Sequence, residues 1–208
     1  MSLLKCDFRV VGPIQTNCYF LHREDTKDCL IIDPGYEADK IEAYVQKKQL
    51  HVTGILLTHG HFDHIMGVNS INKDFNAKVL VHKDDKQIID ESDDFMMSVG
   101  LEPFEHPVID EYIDESTEIK IGNTPIKVIH LPGHTQGGVG YLIEDKLFSG
   151  DTVFLESIGR TDLVGGNYQQ LVSSIKEKVF ALPDKTTIYT GHGTNTTVEH
   201  EKKYNYDN

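Results

Sequence analysis

Within six residues the chain carries His59, His61, Asp63 and His64, the pattern H-x-H-x-D-H. Neutral imidazole and carboxylate are the donors that suit zinc, iron or manganese. If residues 59–61 are extended, the two-residue alternation sends His59 and His61 to one side. A helical turn just after them directs Asp63 and His64 toward a second, neighbouring point. Two adjacent donor sets result, and the first is short of ligands. Three further candidates each follow an expected strand: His134 in Pro132-Gly133-His134-Thr135, Asp151 in Ser149-Gly150-Asp151-Thr152, and His192 in Gly191-His192-Gly193. Seven ligands suffice for two ions. Taken alone, His134, Asp151 or His192 reads more simply as a turn or capping residue; beside the hexad, metal ligation is the stronger reading. The remaining histidines (His22, His51, His82, His106, His130, His200) lack such company and are read as structural or solvated. Asp33 is read first as a turn or capping residue, with a hydrogen bond to a ligand imidazole as the alternative.

The elements that must hold these donors alternate between strand and helix. Strands are expected at 6–12 and 17–22, joined by a turn at Gly12-Pro13, and at 29–32, stopped by Asp33-Pro34-Gly35. Ile41, Tyr44, Val45 and Lys48 keep helical spacing over 37–49, and a buried strand over 52–58 runs directly into the hexad. A helix over 65–75, a strand over 79–82 and a helix near 83–91 come next. The acidic segment 92–116, with Phe95, Met96, Met97 and Phe104, is expected to be irregular. It is either a lid or a surface loop tucking apolar residues onto the core, and its apolar residues could serve an interface. Strands at 118–121, 126–131, 139–143 and 146–149 imply two hairpins, turning at Gly122-Asn123 and Glu144-Asp145. A helix over 168–180, a strand over 187–190 and a short last helix complete the pattern.

The chain has 208 residues with 33 acidic and 20 basic side chains, a formal charge of -13. That length suits one domain, expected to span 1–208. The acidity repels phosphate backbones and offers no basic stripe, so nucleic acid is not an expected partner. No stretch approaches the ~18 to 20 consecutive apolar residues of a membrane span, and the N-terminus lacks a secretion-signal layout, so the expected compartment is the cytoplasm. Cys6, Cys18 and Cys29 are odd in number and two lie in apolar runs, which favours reduced buried thiols.

The motifs, in order, resemble the metallo-β-lactamase superfamily. Thr16-Asn17-Cys18-Tyr19, Ile32-Asp33-Pro34-Gly35, Thr58-His59-Gly60-His61-Phe62-Asp63-His64, Leu131-Pro132-Gly133-His134-Thr135, Phe148-Ser149-Gly150-Asp151-Thr152 and Gly191-His192-Gly193 carry the resemblance over nearly the whole chain. It implies an α/β (α+β) fold, a four-layer αββα sandwich with metals at one edge between the sheets. It also implies His59, His61 and His134 on one metal, Asp63, His64 and His192 on the other, and Asp151 between them. The closest likeness is to short glyoxalase II-like hydrolases. β-Lactamases of the fold commonly lack a histidine after the motif aspartate, and diiron flavoprotein relatives replace the second motif histidine with glutamate; here His64 and His61 are present.

This resemblance implies a dinuclear hydrolase of thioesters of the S-lactoylglutathione type, with two divalent ions, zinc first and iron or manganese as alternatives. Paired cations bring a shared water toward neutral pKa, so that a bridging hydroxide attacks the carbonyl. A thiolate, whose conjugate acid has a pKa of about 8.5, leaves with little protonation. Arg160 matches a basic substrate-contacting residue of glyoxalase II enzymes; pairing with Asp162 is an equal alternative. The chain ends 16 residues after His192, without the C-terminal helical domain of larger glyoxalase II enzymes, which leaves another thiol carrier open. A persulfide dioxygenase binding one iron through residues matching His59, His134 and Asp151 is the competing enzyme. RNA-processing relatives share the hexad but need a phosphate-holding surface. A non-catalytic metal-binding or interaction protein is the alternative of a different class.

Overall fold

A computed structural model describes residues 3–98, 100 and 102–205; the side chain of Phe95, one of the apolar residues singled out in the acidic segment, lies outside the described residues. The first sheet has six strands in sequence order: β1 (Leu4–Val11), β2 (Thr16–Arg23), β3 (Asp28–Ile32), β4 (His51–Leu56), β5 (Lys78–His82) and β6 (Glu111–Ile113). β1 to β3 are antiparallel and β3 to β6 parallel. The second sheet holds β7 (Ile119–Ile121), β8 (Thr124–His130), β9 (Val139–Ile143) and β10 (Lys146–Gly150). A small hairpin, β11 (Val153–Phe154) and β12 (Ser157–Ile158), precedes β13 (Thr187–Thr190) and β14 (Thr196–Thr197), which complete that sheet in the order β14-β13-β10-β9-β8-β7.

Three apolar clusters make this a four-layer αββα sandwich. Strand side chains alternate between faces. Leu30 and Ile32 of β3 therefore point between the sheets, meeting Ile126, Val128, Tyr141 and Phe148, while Cys29 and Ile31 point the other way. There they pack under α1 (Ala38–Lys48) and the helical pair α2 (Phe62–Ile65) and α3 (Val68–Phe75), through Ile41, Tyr44, Val45, Ile65, Val68 and Ile71. After α3 come α4 (Lys86–Asp90) and α5 (Ser92–Ser98). On the outer face of the second sheet, Ile129, Leu147 and Ile188 bury against Leu171 of α6 (Tyr168–Ser174), whose last turn widens over Ile175–Val179, and Val198 of α7 (Val198–Tyr204). Strands buried on both faces read as continuous apolar runs, as Cys29 to Ile32 of β3 do.

Several local expectations change. The helix over 65–75 is interrupted: α2 starts earlier, at Phe62, and the chain breaks at Met66-Gly67, where the Gly67 amide donates to the Pro34 carbonyl (3.0 Å). The irregular segment contains α5 and then β6, an edge strand held by pairing with β5 and by Asp110 (amide to Val79 carbonyl, 3.0 Å; Oδ2 accepting the Val79 amide, 2.9 Å). Three residues between charges carry no periodic signal, so only tertiary pairing defines β6. Within this segment Met96 is buried, Phe104 packs on the helix-side core, and Met97 is exposed. Among the described residues no helix is long and apolar enough to cross a membrane.

All three cysteines are free thiols, and burial raises the pKa of each, Cys6 to about 12. Since the thiolate is the nucleophile, alkylation by iodoacetamide at pH 8 should be at least tenfold slower in the native protein than after denaturation. Three rapidly labelled thiols under native conditions would contradict the packing.

Candidate metal centre

The candidate donors gather where β4, β8, β10 and β13 end, at one edge between the sheets. β4 ends at Leu56, the chain bends at Thr58, and His61, the N-cap of α2, is extended with φ -69° and ψ 143°. His59 and His61 lie together, and the segment after β8 brings His134 to them; their donor atoms lie within 4.8 Å of one another. Asp63 and His64, in the first turn of α2, converge with His192 within the same limit. Asp151 stands between the groups. Its Oδ2 is 3.6 Å from His134 Nε2 and 3.4 Å from His192 Nε2, and its Oδ1 is 3.4 Å from His64 Nε2. All seven sequence candidates are thus brought together.

The outer nitrogens of four imidazoles are already engaged. His64 Nδ1 donates to Asp33 Oδ2 (3.0 Å), His134 Nδ1 to the Arg160 carbonyl (2.7 Å) and His192 Nδ1 to the Ile14 carbonyl (3.2 Å). Thr58 Oγ1 donates to Asp33 Oδ2 (2.6 Å), so it accepts from His59 Nδ1 (3.0 Å). A neutral imidazole with its Nδ1 proton committed outward carries a lone pair on Nε2. The Nε2 atoms of all four rings face the centre, and each offers a lone pair once it carries no proton. His64 Nε2 and His192 Nε2 are 3.3 Å apart, with Asp63 Oδ2 3.5 and 3.2 Å from them. His59 Nε2, His134 Nε2 and Asp151 Oδ1 are buried with no hydrogen-bond partner. Nitrogens and carboxylates crowded in this way need positive charge, from protons or from a metal, and the donor set fits divalent metal ions.

The protonation pattern of the metal-free site follows. Burial, reinforced by neighbouring imidazoles, pushes His59 well below the usual range and His61 to about 3. Burial also opposes charge on His64 and His192. For His64 the carboxylates of Asp63, Asp151 and Asp33 outweigh it, giving about 9; for His192 hydrogen bonds to Asp151 and Asp63 do so, giving about 10. The same pairing holds Asp63 and Asp151 below the usual carboxylate range despite burial.

Asp33 is not a cap, contrary to its first reading: the N-cap of α1 is Glu37. The Asp33 carbonyl does accept the Gly35 amide in the expected turn, while its carboxylate holds His64, the Thr58 amide (2.7 Å) and the Thr58 hydroxyl. Gly35 follows for a steric reason, since a Cβ there would lie 1.6 Å from the Asp63 carbonyl oxygen. Gly191 has the same role beside Asp151, whose Oδ1 would be 2.0 Å from an added Cβ.

Asp85 escaped sequence reading. Fully buried after β5, it accepts from the Gly60 amide (2.8 Å), the Thr135 hydroxyl (2.9 Å) and the Gly137 amide (2.6 Å), tying the loop of His59 and His61 to that of His134. Desolvation raises its pKa, with those hydrogen bonds opposing. Nothing in Lys83-Asp84-Asp85-Lys86 distinguishes it from its neighbour; only burial does. Thr16 Oγ1 donates to Asp63 Oδ2 (3.1 Å), and Asn17 Nδ2 donates to the Thr190 and Gly193 carbonyls (3.0 Å each), fastening β2 to the His192 loop.

Arg160 is exposed and forms a bidentate pair with Asp162 (2.8 Å at both contacts), the second of its two sequence readings. It also lines a cleft of about 770 Å³ over the donor cluster, with Ile14, Phe154, Ile158 and Leu163.

Comparison with known proteins matches residues 11–192 to the Metallo-beta-lactamase superfamily. The chain is 40% identical over 199 residues to the probable metallo-hydrolase YqgX of Bacillus subtilis (strain 168), covering 94% of this chain and 93% of that protein. It is 34% identical over 199 residues to the hydroxyacylglutathione hydrolase GloC of Haemophilus influenzae (strain ATCC 51907 / DSM 11121 / KW20 / Rd), with 94% and 93% covered. The crystal structure of BLEG-1 B3 metallo-beta-lactamase superposes with a TM-score of 0.91 at 36% identity, covering 97% of this chain and 98% of that one.

Two measurements check this geometry. Asp85→Asn swaps an acceptor for an amide donor facing buried donors, and should cost about 2 to 4 kcal/mol in urea denaturation. In the metal-free protein at pH 7, His64 and His192 hold protons while His59 and His61 do not. A divalent ion taking those nitrogens must displace the protons, so affinity should rise with pH toward 9 to 10. Calorimetry in buffers of different ionisation enthalpy reads the proton release; pH-independent affinity from 6 to 9 would refute the pattern.

Proposed function

The chain belongs to the metallo-β-lactamase superfamily, and from that premise we propose that it is a single-domain (1–208) dinuclear hydrolase acting on thioesters of the S-lactoylglutathione type. The carrying observation is the four inward Nε2 atoms converging with Asp63 and Asp151. In this reading His59, His61 and His134 hold one divalent ion and Asp63, His64 and His192 the other, while Asp151 serves both. Zinc, iron and manganese all suit these donors. Ions bound there supply Lewis acidity and water made acidic enough to ionise near neutral pH.

The chain's own residues do the rest. Asp33, Thr58 and the carbonyls of Ile14 and Arg160 keep the imidazoles in one tautomer and orientation, so that little reorganisation accompanies the reaction. Asp63 is the residue to which we assign a direct part in catalysis, since its carboxylate lies against both His64 and His192 and lines the open cleft. Ile14, Phe154, Ile158 and Leu163 limit water around the substrate. A departing thiolate, with a conjugate acid of pKa about 8.5, requires no dedicated acid. Arg160 is the proposed contact for a substrate carboxylate, in competition with Asp162. GloC, named for hydroxyacylglutathione hydrolysis, supports the reading.

Two other readings have specific support. The three orphaned atoms, on His59, His134 and Asp151, are the set a mononuclear-iron persulfide dioxygenase would use. The likeness to BLEG-1 brings β-lactams into the comparison, where the presence of His64 alone does not separate the two.

The deciding experiment counts metals in purified protein and assays S-lactoylglutathione, a panel of thioesters, a β-lactam and a persulfide with oxygen uptake. Two metals per chain and thioester turnover are expected; one iron with oxygen consumption would overturn the hydrolase reading. Asp63→Ala should lower second-metal occupancy and reduce kcat at least a hundredfold while circular dichroism stays native. Full activity in that variant would rule out the dinuclear mechanism.

A further inference from the structure

A second cavity adjoins the cleft. Its volume is about 290 Å³, and it lies between α4, α5 and the loop that follows Asp162. His61, Phe62 and Leu163 line both spaces, so the second cavity lies immediately beside the donor cluster. Ile88, Leu163, Val164 and Phe62 supply apolar walls. An apolar cavity of about 150 Å³ holds a benzene-sized guest, so this one has room for an apolar group of roughly six to ten carbons.

Its charges are unsuited to an anionic guest. Glu91 and Asp94 line it, and among the described residues lining either cavity Arg160 is the one lysine or arginine. That guanidinium is already neutralised by a bidentate carboxylate. Glutathione carries two carboxylates and one ammonium, and the cleft offers no unpaired guanidinium or ammonium to receive the former. An uncharged acyl chain meets no such penalty, and its burial is favourable at every methylene.

We propose that this side pocket is an acyl-binding subsite, and that the preferred substrates are thioesters of medium-length apolar acyl groups. This rests on the thioester chemistry of the reading above and departs from its glutathione type, placing recognition on the acyl group. Selectivity then comes from the apolar walls around the acyl chain, with little drawn from recognition of the thiol carrier.

The test uses metal-loaded protein and thioesters of one neutral thiol, N-acetylcysteamine, with acetyl, butanoyl and hexanoyl groups, alongside S-lactoylglutathione. kcat/KM should rise about fourfold per added methylene, and the hexanoyl ester should exceed S-lactoylglutathione. Ile88→Trp fills the pocket and should lower the hexanoyl-to-acetyl ratio at least tenfold. Val164→Trp, at a position 66% exposed and therefore tolerant of substitution, should lower the same ratio. Measurable hydrolysis with a flat chain-length series, or a ratio unaltered in both variants, would overturn the subsite and leave the thioesterase standing. No hydrolysis of any thioester would overturn both.

Discussion

The buried carboxylate of Asp33 is the contact on which the rest of the site depends. It is inaccessible to solvent, and a carboxylate so placed is costly unless its acceptor sites are filled. The Thr58 amide, the Thr58 hydroxyl and His64 Nδ1 fill them. Each donor belongs to the segment leaving β4, so satisfying Asp33 fastens the end of β3 to the start of the hexad. Thr58 extends the chain to His59. One charge thereby orients two imidazoles, and it reaches them because β3 and β4 are parallel neighbours whose carboxyl ends coincide.

Similar fastenings cross from one sheet to the other. The Val139 amide donates to the Thr58 carbonyl (2.8 Å) and the Tyr141 hydroxyl to the Leu57 carbonyl (2.8 Å), joining β9 to the segment after β4. Tyr19 Oη donates to the Thr190 carbonyl (2.6 Å), joining β2 to β13. These bonds lie at the edge where the apolar filling between the sheets gives way to polar groups. The donor cluster is therefore held on rigid elements, with little left to the loops themselves. Asp85 does the same work from the α4 side, linking backbone amides of two ligand-bearing loops through one buried group.

Opposed requirements explain the electrostatics. Carboxylates and imidazole lone pairs are crowded where water is scarce, and the metal-free protein relieves this by keeping protons on His64 and His192 while His59 and His61 remain neutral. The ring positions are set by their outward hydrogen bonds, so the same arrangement persists whichever cation balances the charge. The chain's net charge of -13 bears on this edge as well. It disfavours polyanions as partners of the chain as a whole, while the apolar lining of the adjoining pocket favours uncharged groups.

Much of the site was legible in the sequence because its information is local. H-x-H-x-D-H combines an extended pair with a helical turn, and each of His134, Asp151 and His192 follows a strand that buries its apolar residues on both faces. The layered sandwich was implied by the resemblance those motifs carry, and the order of strands and helices agrees with it. What escaped depends on contacts between residues far apart in the chain. Asp33 reads first as a turn or cap, and only the fold favours its alternative, the bond to an imidazole; Asp85 looks like an ordinary turn aspartate until folding buries it; β6 has three residues and becomes a strand only by pairing with β5; the helix expected over 65–75 breaks because Gly67 docks on Pro34. Arg160 had two equal readings in sequence, a substrate carboxylate or Asp162, and only the folded loop brings the Asp162 carboxylate within 2.8 Å of it. By itself the sequence determined which side chains could hold cations and which strands would carry them, because donor chemistry and strand periodicity are properties of neighbouring residues. Tertiary structure alone decided which carboxylates lose their solvent, which imidazole nitrogen faces inward and where an apolar pocket opens beside them, because those follow from burial between elements that meet only in the fold.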